Sequence, residues 1–400
     1  MEGAQDVELL DPLGTVGFMT VASVPPLSSA TGADTQPMGM NMSGLQRAGG
    51  QELTEGGVSA RLYTGIVRRG ELSGTRVVLK AYPQDKSAEA DAMAANEVAL
   101  HCSLQPPAAP FEHPHICKLL GGFAVEDGAS RGEQWLVFRN DGTISAAAYA
   151  AKAAEATASG RSVGEGEMFD RLDPAKPLAR RRAFVIELLR QCLEGMTYMH
   201  ARQRLHQSLG PSSVVLRRIE ERDYRQMEAR LRDLAFGVDV SDAGMYDGAT
   251  LGEIWDRGVI SAGESPLKKL ASGLWARAQR DGAYTVIERR NYGIADDIYA
   301  AGLLVAYMCF VPFCEPGSID GPALQRLLES TFRLDVAAAR DFCEADDRWR
   351  HAVALLDVGG GAGWELIQAM LNPNWRLRPT AQSCLNHPFL TGAAFGTQSK

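Results

Sequence analysis

The sequence predicts an α+β protein with two lobes, a small antiparallel β lobe followed by a large helical lobe. Two β-type runs, residues 61–67 and 75–82, flank a Gly- and Ser-containing turn and favour a pair of strands. One helical stretch, 88–104, and two more strand-like runs, 116–123 and 134–138, follow. Strands, a single helix and further strands together describe a small sheet lobe.

The second part of the chain is predicted to be almost entirely helical. Two strand-like pieces, 213–216 and 230–234, interrupt the helices, and a further helix is expected near 266–279. The polar segment 218–225 is predicted to be a solvated insertion, and the basic run 180–182 the solvated start of a helix. The predicted helices of this lobe are 143–158, 179–202, 294–310, 321–330, 362–371 and 379–386.

The organisation predicted is one domain with two short extensions. Residues 1–50 mix Gly, Ser, Thr, Pro and Met without a period and are expected to form a flexible N-terminal arm. The domain covers residues 51–391, with the lobes at 51–140 and 141–391, and residues 392–400 form a tail. A chain of 400 residues with 45% hydrophobic content can bury a core of this size.

Composition narrows the classes of partner. A net charge of −8 argues against nucleic acid and anionic membranes, which bind through clustered Lys and Arg. The 7 cysteines are odd in number and scattered, which indicates a reducing compartment, and the N-terminus lacks the pattern of a signal or transit peptide. The apolar run 298–314 contains Gly302 and Pro312 and is shorter than the roughly 20 residues of a bilayer span, so a buried core helix is predicted and no transmembrane segment.

A lysine in a strand of the small lobe points to nucleotide chemistry. Lys80 ends the strand sequence VVLK, and Glu97 lies in the helix that follows. A small β lobe before a helical lobe, with a lysine so placed, is the layout in which ATP lies between the lobes. Over roughly residues 52–391 the chain resembles the protein kinases. The resemblance implies that Lys80 contacts the phosphates of ATP and that Glu97 is its ion-pair partner.

The segment 206–216, HQSLGPSSVVL, resembles the kinase catalytic loop HRDLKPxNxLL in spacing. In that comparison Ser208 replaces the Asp that accepts the substrate proton, and Ser213 replaces the Asn that binds a metal ion. Gly210 replaces the phosphate-side Lys. The structural members of the loop are present as His206, Leu209, Pro211, Val214 and Leu216.

The metal-binding turn is also altered. Residues 234–237, LAFG, resemble the kinase DFG turn and place Ala235 at the Mg²⁺ ligand, which alanine cannot supply. Asp233 and Asp239 lie close by, and a shifted register would let Asp233 substitute, because side chains two positions apart on a strand share a face. The sequence therefore predicts no intact Mg²⁺ site, with Asp233 as the candidate substitute.

The phosphate-covering loop is reduced. Residues 55–62 match GxGxxGxV and keep only the middle glycine, Gly57, while Glu55 and Ala60 stand at glycine positions. Backbone amides approach a phosphate closely only where no Cβ obstructs them, so these changes weaken the cradle. By the resemblance, ATP is the expected ligand, contacted by Gly57, Leu62, Lys80 and Glu97.

Features near the C-terminus complete the resemblance. Glu288 stands where the kinase activation segment ends and is predicted to pair with Arg378. Asp297 opens the apolar run that resembles the central helix of the large lobe.

A closer resemblance exists in three runs, 133–142, 204–216 and 293–317, which look like the kinase-like domain of plant plastid-lipid-associated (fibrillin) proteins. That resemblance alone implies a chloroplast location and lipid association. This chain shows neither a transit-peptide pattern nor a fibrillin domain.

Three functions remain open at this point. The first is a pseudokinase that holds ATP and acts as a scaffold or regulator of an unidentified protein partner, since the general base and both metal ligands are altered. The second is an active ATP-dependent Ser/Thr-type protein kinase, with Asp233 or Asp239 as metal ligand and a carboxylate of the insertion as base. The third is a lipid-associated structural protein. Metal-dependent phosphoryl transfer separates the first two, and co-sedimentation with liposomes tests the third.

Overall fold

A computed structural model describes residues 3–18, 58–84, 88–105, 112–126, 128, 131–164, 175–245 and 266–396. The small lobe is a five-stranded antiparallel sheet of order β1-β2-β3-β5-β4 with one long helix. Its elements are β1 (Val7–Phe18), β2 (Val58–Val67), β3 (Arg76–Tyr82), α1 (Ala88–Leu104), β4 (Leu119–Ala124) and β5 (Gln134–Arg139). This is the predicted α+β arrangement of strands around a single helix.

Strand β1 corrects one prediction. It pairs antiparallel with β2 from Val7 opposite Val67 to Phe18 opposite Val58, so residues 7–18 belong to the sheet and not to a flexible arm. The pairing shifts register at Pro12, which has no N–H to donate and is tolerated at such an irregularity of an edge strand. Residues 19–50 of the predicted arm lie outside the described residues.

The large lobe is helical with three short β pairs. Its elements are β6 (Ile144–Ser145), α2 (Ala146–Ala158), α3 (Ala175–Ala201), β7 (Arg204–Leu205), β8 (Val214–Leu216), β9 (Ala229–Leu231), β10 (Val238–Asp239), α4 (Asp242–Met245), α5 (Pro266–Arg280), α6 (Val286–Phe310), α7 (Gly321–Arg326), α8 (Val336–Glu344), α9 (Arg350–Leu356), α10 (Val358–Met370), α11 (Ala381–Leu385), α12 (Pro388–Thr391) and α13 (Ala393–Gly396). The amphipathic α3 and the apolar α6 contribute more buried residues to the core of this lobe than its other helices.

Helix α6 begins earlier than the predicted residue 294, because the sequence at 285–288 forms a capping box. The Thr285 hydroxyl accepts a hydrogen bond from Glu288 N, and the Glu288 carboxylate accepts one from Thr285 N at 3.0 Å. By length and composition, the segment Val286–Phe313 could span a membrane, yet most of its apolar window is buried inside the protein. It is the core helix that the sequence predicted.

The predicted pairing of Glu288 with Arg378 is wrong. Glu288 serves the cap of α6 and lies 3.5 Å from Arg376. Arg378 instead donates to the carbonyl oxygens of Asn372 at 2.8 Å and Ala295 at 3.1 Å. Both arginines tie the C-terminal segment to α6, although neither does so through the expected pair.

Two segments predicted to be solvated contain a fully buried ion pair. Arg181, from the basic run, and Glu221, from the predicted insertion, are both 0% exposed, and their Nε and Oε1 atoms lie 2.7 Å apart. The Tyr149 hydroxyl also donates to Glu221. Because two buried charges need each other and further hydrogen bonds, this contact fastens the insertion to α3. The predicted tail also contains a helix, since α13 starts at residue 393 and Ala394 is buried in the core.

Candidate functional site

The site is built first on Lys80 and Glu97, which the sequence predicted to meet. Lys80 lies on β3 and Glu97 on α1, and both side chains are buried. Lys80 Nζ lies 2.9 Å from Glu97 Oε2 and 3.2 Å from Oε1, and the Tyr82 hydroxyl also donates to Glu97. A strand and a helix are thus joined by a charge-assisted hydrogen-bond network at the inner face of the small lobe.

Asp233 is the carboxylate that faces Lys80. Its Oδ1 lies 2.7 Å from Lys80 Nζ, and its Oδ2 lies 3.3 Å from Arg232 Nε. The backbone of Asp233 is left-handed, with φ 67°, a conformation that Asp tolerates better than most residues. The Ser208 hydroxyl donates to the Asp233 carbonyl oxygen at 2.6 Å, and Leu234 N donates to Glu97. Both ends of this strained turn are therefore held by the cleft.

Ala235 does not face the cleft as the sequence alignment had it. Its side chain is fully buried in an apolar cluster with Phe236 and residues of α1, including Met93. Its carbonyl oxygen accepts a hydrogen bond of 2.9 Å from Asn96, which also holds Gly237. Asp233, the left-handed residue before the short 3₁₀ turn Leu234–Phe236, rotates the chain. The shifted register, in which Asp233 and not Ala235 is compared with the metal-binding Asp of the kinases, therefore describes the geometry of the cleft.

The loop that carries Ser208 is anchored by Asp297 of α6. The carboxylate accepts hydrogen bonds from His206 N at 2.8 Å and Gln207 N at 2.9 Å, and lies 3.0 Å from His200 Nε2. Burial alone would raise the pKa of Asp297, but the hydrogen bond and charge of His200 and the contacts of His206 outweigh it and hold the pKa below its usual range. Asp297 was predicted to open the apolar run of the central helix, but it lies inside α6, which begins at Val286.

The two serines at the altered positions are both buried and used within the fold. Ser213 Oγ donates to Gly210 O and accepts from Gly210 N, each at 2.9 Å, which closes the turn of the loop. Ser208 Oγ is directed to the Asp233 carbonyl oxygen. Neither position carries a carboxylate or amide, so the loop brings neither the carboxylate of a general base nor the amide ligand of a metal ion to the cleft.

The cleft between the lobes has an empty volume of about 400 Å³, including its open mouth. Its apolar lining comes from both lobes, and its charged lining is balanced. The apolar residues are Leu62, Val78, Cys117, Phe138 and Val215, and the charged ones are Lys80, Glu97, Arg139, Asp141, Arg232 and Asp233. Leu62, Lys80 and Glu97 were predicted, whereas Gly57 lies outside the described residues.

One feature of the site was missed in the sequence. Arg232 lines the cleft next to Asp233, and its adjacency to a candidate ligand was a usable signal. Strand β1, outside the cleft, was also missed. Its residues do not alternate between apolar and polar, and Pro12, Gly14 and Gly17 interrupt them, so no strand pattern marks it.

A magnesium ion bound with a nucleotide needs only one or two protein ligands, because phosphate oxygens and waters supply the rest. Of the residues at the kinase metal positions, Asp233 brings a carboxylate to the cleft. Asp233 has a cation near each carboxylate oxygen, and Ser213 Oγ is occupied by Gly210, so a metal ion there would compete with Lys80 or Arg232. An apolar slot beside a buried lysine suits an adenine ring joined to phosphates.

The two-lobed architecture is that of a protein-kinase-like fold. A crystal structure of a Stt7 homologue from Micromonas algae, soaked with ATP, superposes with a TM-score of 0.52 over 97% of this chain and 93% of that one, at 17% identity. No protein-family model matches the sequence. No curated protein matches it either, so the resemblance to the fibrillin proteins finds no support there.

Proposed function

We propose that this protein is a pseudokinase, a kinase-like protein that binds an adenine nucleotide between its lobes and acts as a scaffold or regulator of a protein partner. The observation that carries the proposal is the buried network of Lys80, Glu97 and Asp233 beside a loop with Ser208 at the general-base position. Nucleotide-facing groups are retained, while proton-transfer and metal-binding groups are replaced. The likeness to a fold neighbour whose crystal was soaked with ATP supports the same ligand.

The expected loss of catalysis follows from the replaced groups. A general base contributes about 10²- to 10⁴-fold to the rate. Each electrostatic contact on developing charge contributes roughly 3 kcal/mol, which is a further factor of about a hundred. Ser208 and Ser213 remove one of each kind, so phosphoryl transfer should be slower than in an intact kinase by roughly 10⁴- to 10⁶-fold if the losses add, and by less if they do not.

The second candidate is an active protein kinase, and the position of Asp233 favours it. A carboxylate 2.7 Å from Lys80 stands where a kinase needs a metal ligand. In that case a metal ion would have to displace Lys80 or Arg232 from the carboxylate, and a base would have to come from elsewhere. The pseudokinase is preferred because no such rearrangement is required.

One set of variants separates the candidates. We would measure ATP binding by calorimetry and transfer of ³²P to a generic protein substrate in Mg²⁺ or Mn²⁺. Val78→Phe should block the apolar slot and abolish ATP binding, whereas Arg76→Ala, on the same strand but exposed, should not. ATP binding without transfer is expected. Transfer that disappears in Asp233→Asn would establish the active kinase, and absence of ATP binding in the wild type would reject the nucleotide.

Domain bounds and location remain proposals. We infer a single kinase-like domain at residues 51–391 extended by the β1 strand, in a reducing compartment. A chloroplast location and lipid association rest on the fibrillin resemblance alone. Pelleting of the purified protein with neutral-lipid liposomes would support them.

A further inference from the structure

The positively charged guanidinium of Arg232 lies in the part of the cleft where a kinase fold is expected to bind a metal ion. Its side chain lines the cleft and is 18% exposed. Nε and Nη2 donate to the carbonyl oxygen of Ser212 at 3.2 and 2.9 Å, and Nε lies 3.3 Å from Asp233 Oδ2. The guanidinium therefore bridges the loop that carries Ser213 and the carboxylate of Asp233, the two places from which kinases bind Mg²⁺.

The backbone fixes this position. Arg232 N donates to the carbonyl oxygen of Ser213 at 2.9 Å, so the residue is hydrogen-bonded to the loop through its main chain and its side chain. The contacts of the guanidinium within the described residues involve Nε and Nη2. Arg232 lines the cleft together with two further cations, Lys80 and Arg139, and its side chain is partly exposed, so the guanidinium can meet a ligand bound there.

We propose that Arg232 takes the place of the divalent cation and binds the phosphates of the nucleotide, so that the cleft takes ATP in its metal-free form. The inference rests on the nucleotide binding proposed above. A planar guanidinium donates several parallel hydrogen bonds to phosphate oxygens and stays charged at any physiological pH. With Lys80 it gives the cleft two cations for the polyphosphate, and each of them already has a carboxylate that holds it in place.

The proposal makes a prediction about magnesium that differs from kinase behaviour. Mg²⁺ chelates the phosphates that Arg232 would contact and brings a further positive charge next to the guanidinium. ATP should therefore bind in EDTA at least as tightly as in excess Mg²⁺. The affinity for adenosine, which has no phosphates, should depend neither on the presence of Mg²⁺ nor on Arg232.

The experiment compares ATP and adenosine binding by calorimetry, in EDTA and in MgCl₂, for wild type, Arg232→Met and Arg232→Lys. Because a hydrogen bond to a charged group is worth roughly a factor of ten or more, Arg232→Met should weaken ATP binding in EDTA by about that factor and leave adenosine binding unchanged. Arg232→Lys keeps the positive charge but lacks the planar guanidinium, so its affinity for ATP in EDTA should lie between those of the wild type and Arg232→Met. Arg217→Met, an exposed arginine outside the cleft, is the matched control.

Each outcome decides a different claim. Tighter ATP binding in Mg²⁺ than in EDTA would overturn the role of Arg232 while leaving nucleotide binding intact. Equal loss of ATP and adenosine affinity in Arg232→Met would also overturn it, because the residue would then only support the cleft. Failure of the wild type to bind either ligand would reject the proposed function itself. If Arg232→Met does not fold, the Lys variant carries the same comparison.

Discussion

His101 should make this protein sensitive to mild acid. The residue lies on α1, one helical turn after Glu97, and is 0% exposed. Both ring nitrogens lack a hydrogen-bond partner among the described residues, and the ring meets that of Phe138 edge to face at 5.2 Å between centroids. Burial lowers its pKa from 6.5 to about 4, because a charged imidazolium in this apolar place would lose its hydration.

The other charges around His101 act on the same pKa. Glu97 and Asp233 favour the protonated ring, while Lys80 and His206 oppose it, and burial exceeds all of them. A histidine whose folded pKa is depressed binds protons more tightly in the unfolded chain. Its contribution to stability is therefore present above pH 6.5 and is lost as the pH falls towards 4. From pH 7 to pH 5 the loss from this residue is about 2 kcal/mol.

The test is His101→Leu, measured by urea unfolding at several pH values between 5 and 7. We expect a gain of about 1 kcal/mol or more at pH 7, because an unsatisfied buried polar group is removed. The pH dependence should flatten by about 2 kcal/mol between pH 7 and pH 5. His101→Gln does not titrate but keeps a buried polar group, so it should flatten the pH dependence without the gain. An unchanged slope in both variants would refute the reasoning.

Two further substitutions test the loop and turn of the site. Asp297→Asn should lower the free energy of unfolding by about 3 kcal/mol, because an amide cannot accept from both backbone N–H groups at 206–207 and would turn a donor towards one of them. Equal stability of the Asn variant in guanidinium unfolding would contradict this. Ser208→Asp, which restores the general base of a kinase, should destabilise by about 3 kcal/mol or more without giving phosphoryl transfer, because a carboxylate cannot donate to the Asp233 carbonyl oxygen. Ser208→Ala should lower the free energy of unfolding by only about 1 kcal/mol. Recovery of phosphoryl transfer in Ser208→Asp would contradict the prediction, because it would show that Ser208 is the main cause of the lost activity.

Much of the fold could be predicted because the elements are local. The helices α1 and α5 and the strands β3 and β5 were located within a residue or two, since runs of helix-forming residues or of β-branched and apolar residues mark them in the sequence. The resemblance to the protein kinases likewise implied the contact of Lys80 with Glu97, which the structure contains. Such features depend on neighbours along the chain, and the sequence contains them directly.

The errors arose where a residue's environment depends on distant segments. Ala235 was placed at the metal-ligand position by matching its sequence to the kinase motif. In the structure the left-handed backbone of Asp233 and its contact with Lys80 turn the Asp233 side chain towards the cleft, and Ala235 lies in the core. Arg181 was predicted to be solvated because its ion-pair partner, Glu221, lies forty residues further along the chain and no neighbouring residue indicates the contact. Strand β1 was missed because its partner lies beyond a long connection.

The sequence by itself therefore determined the class of fold and the altered chemistry of the loop at Ser208 and Ser213, because residue types and short-range periods decide both. Only the tertiary structure decided which carboxylate meets Lys80 and that Arg232 lies beside that carboxylate in the cleft. The physical reason is that hydrogen bonds and charges act through space, and a two-residue shift or one left-handed turn exchanges the side chains that face a cleft.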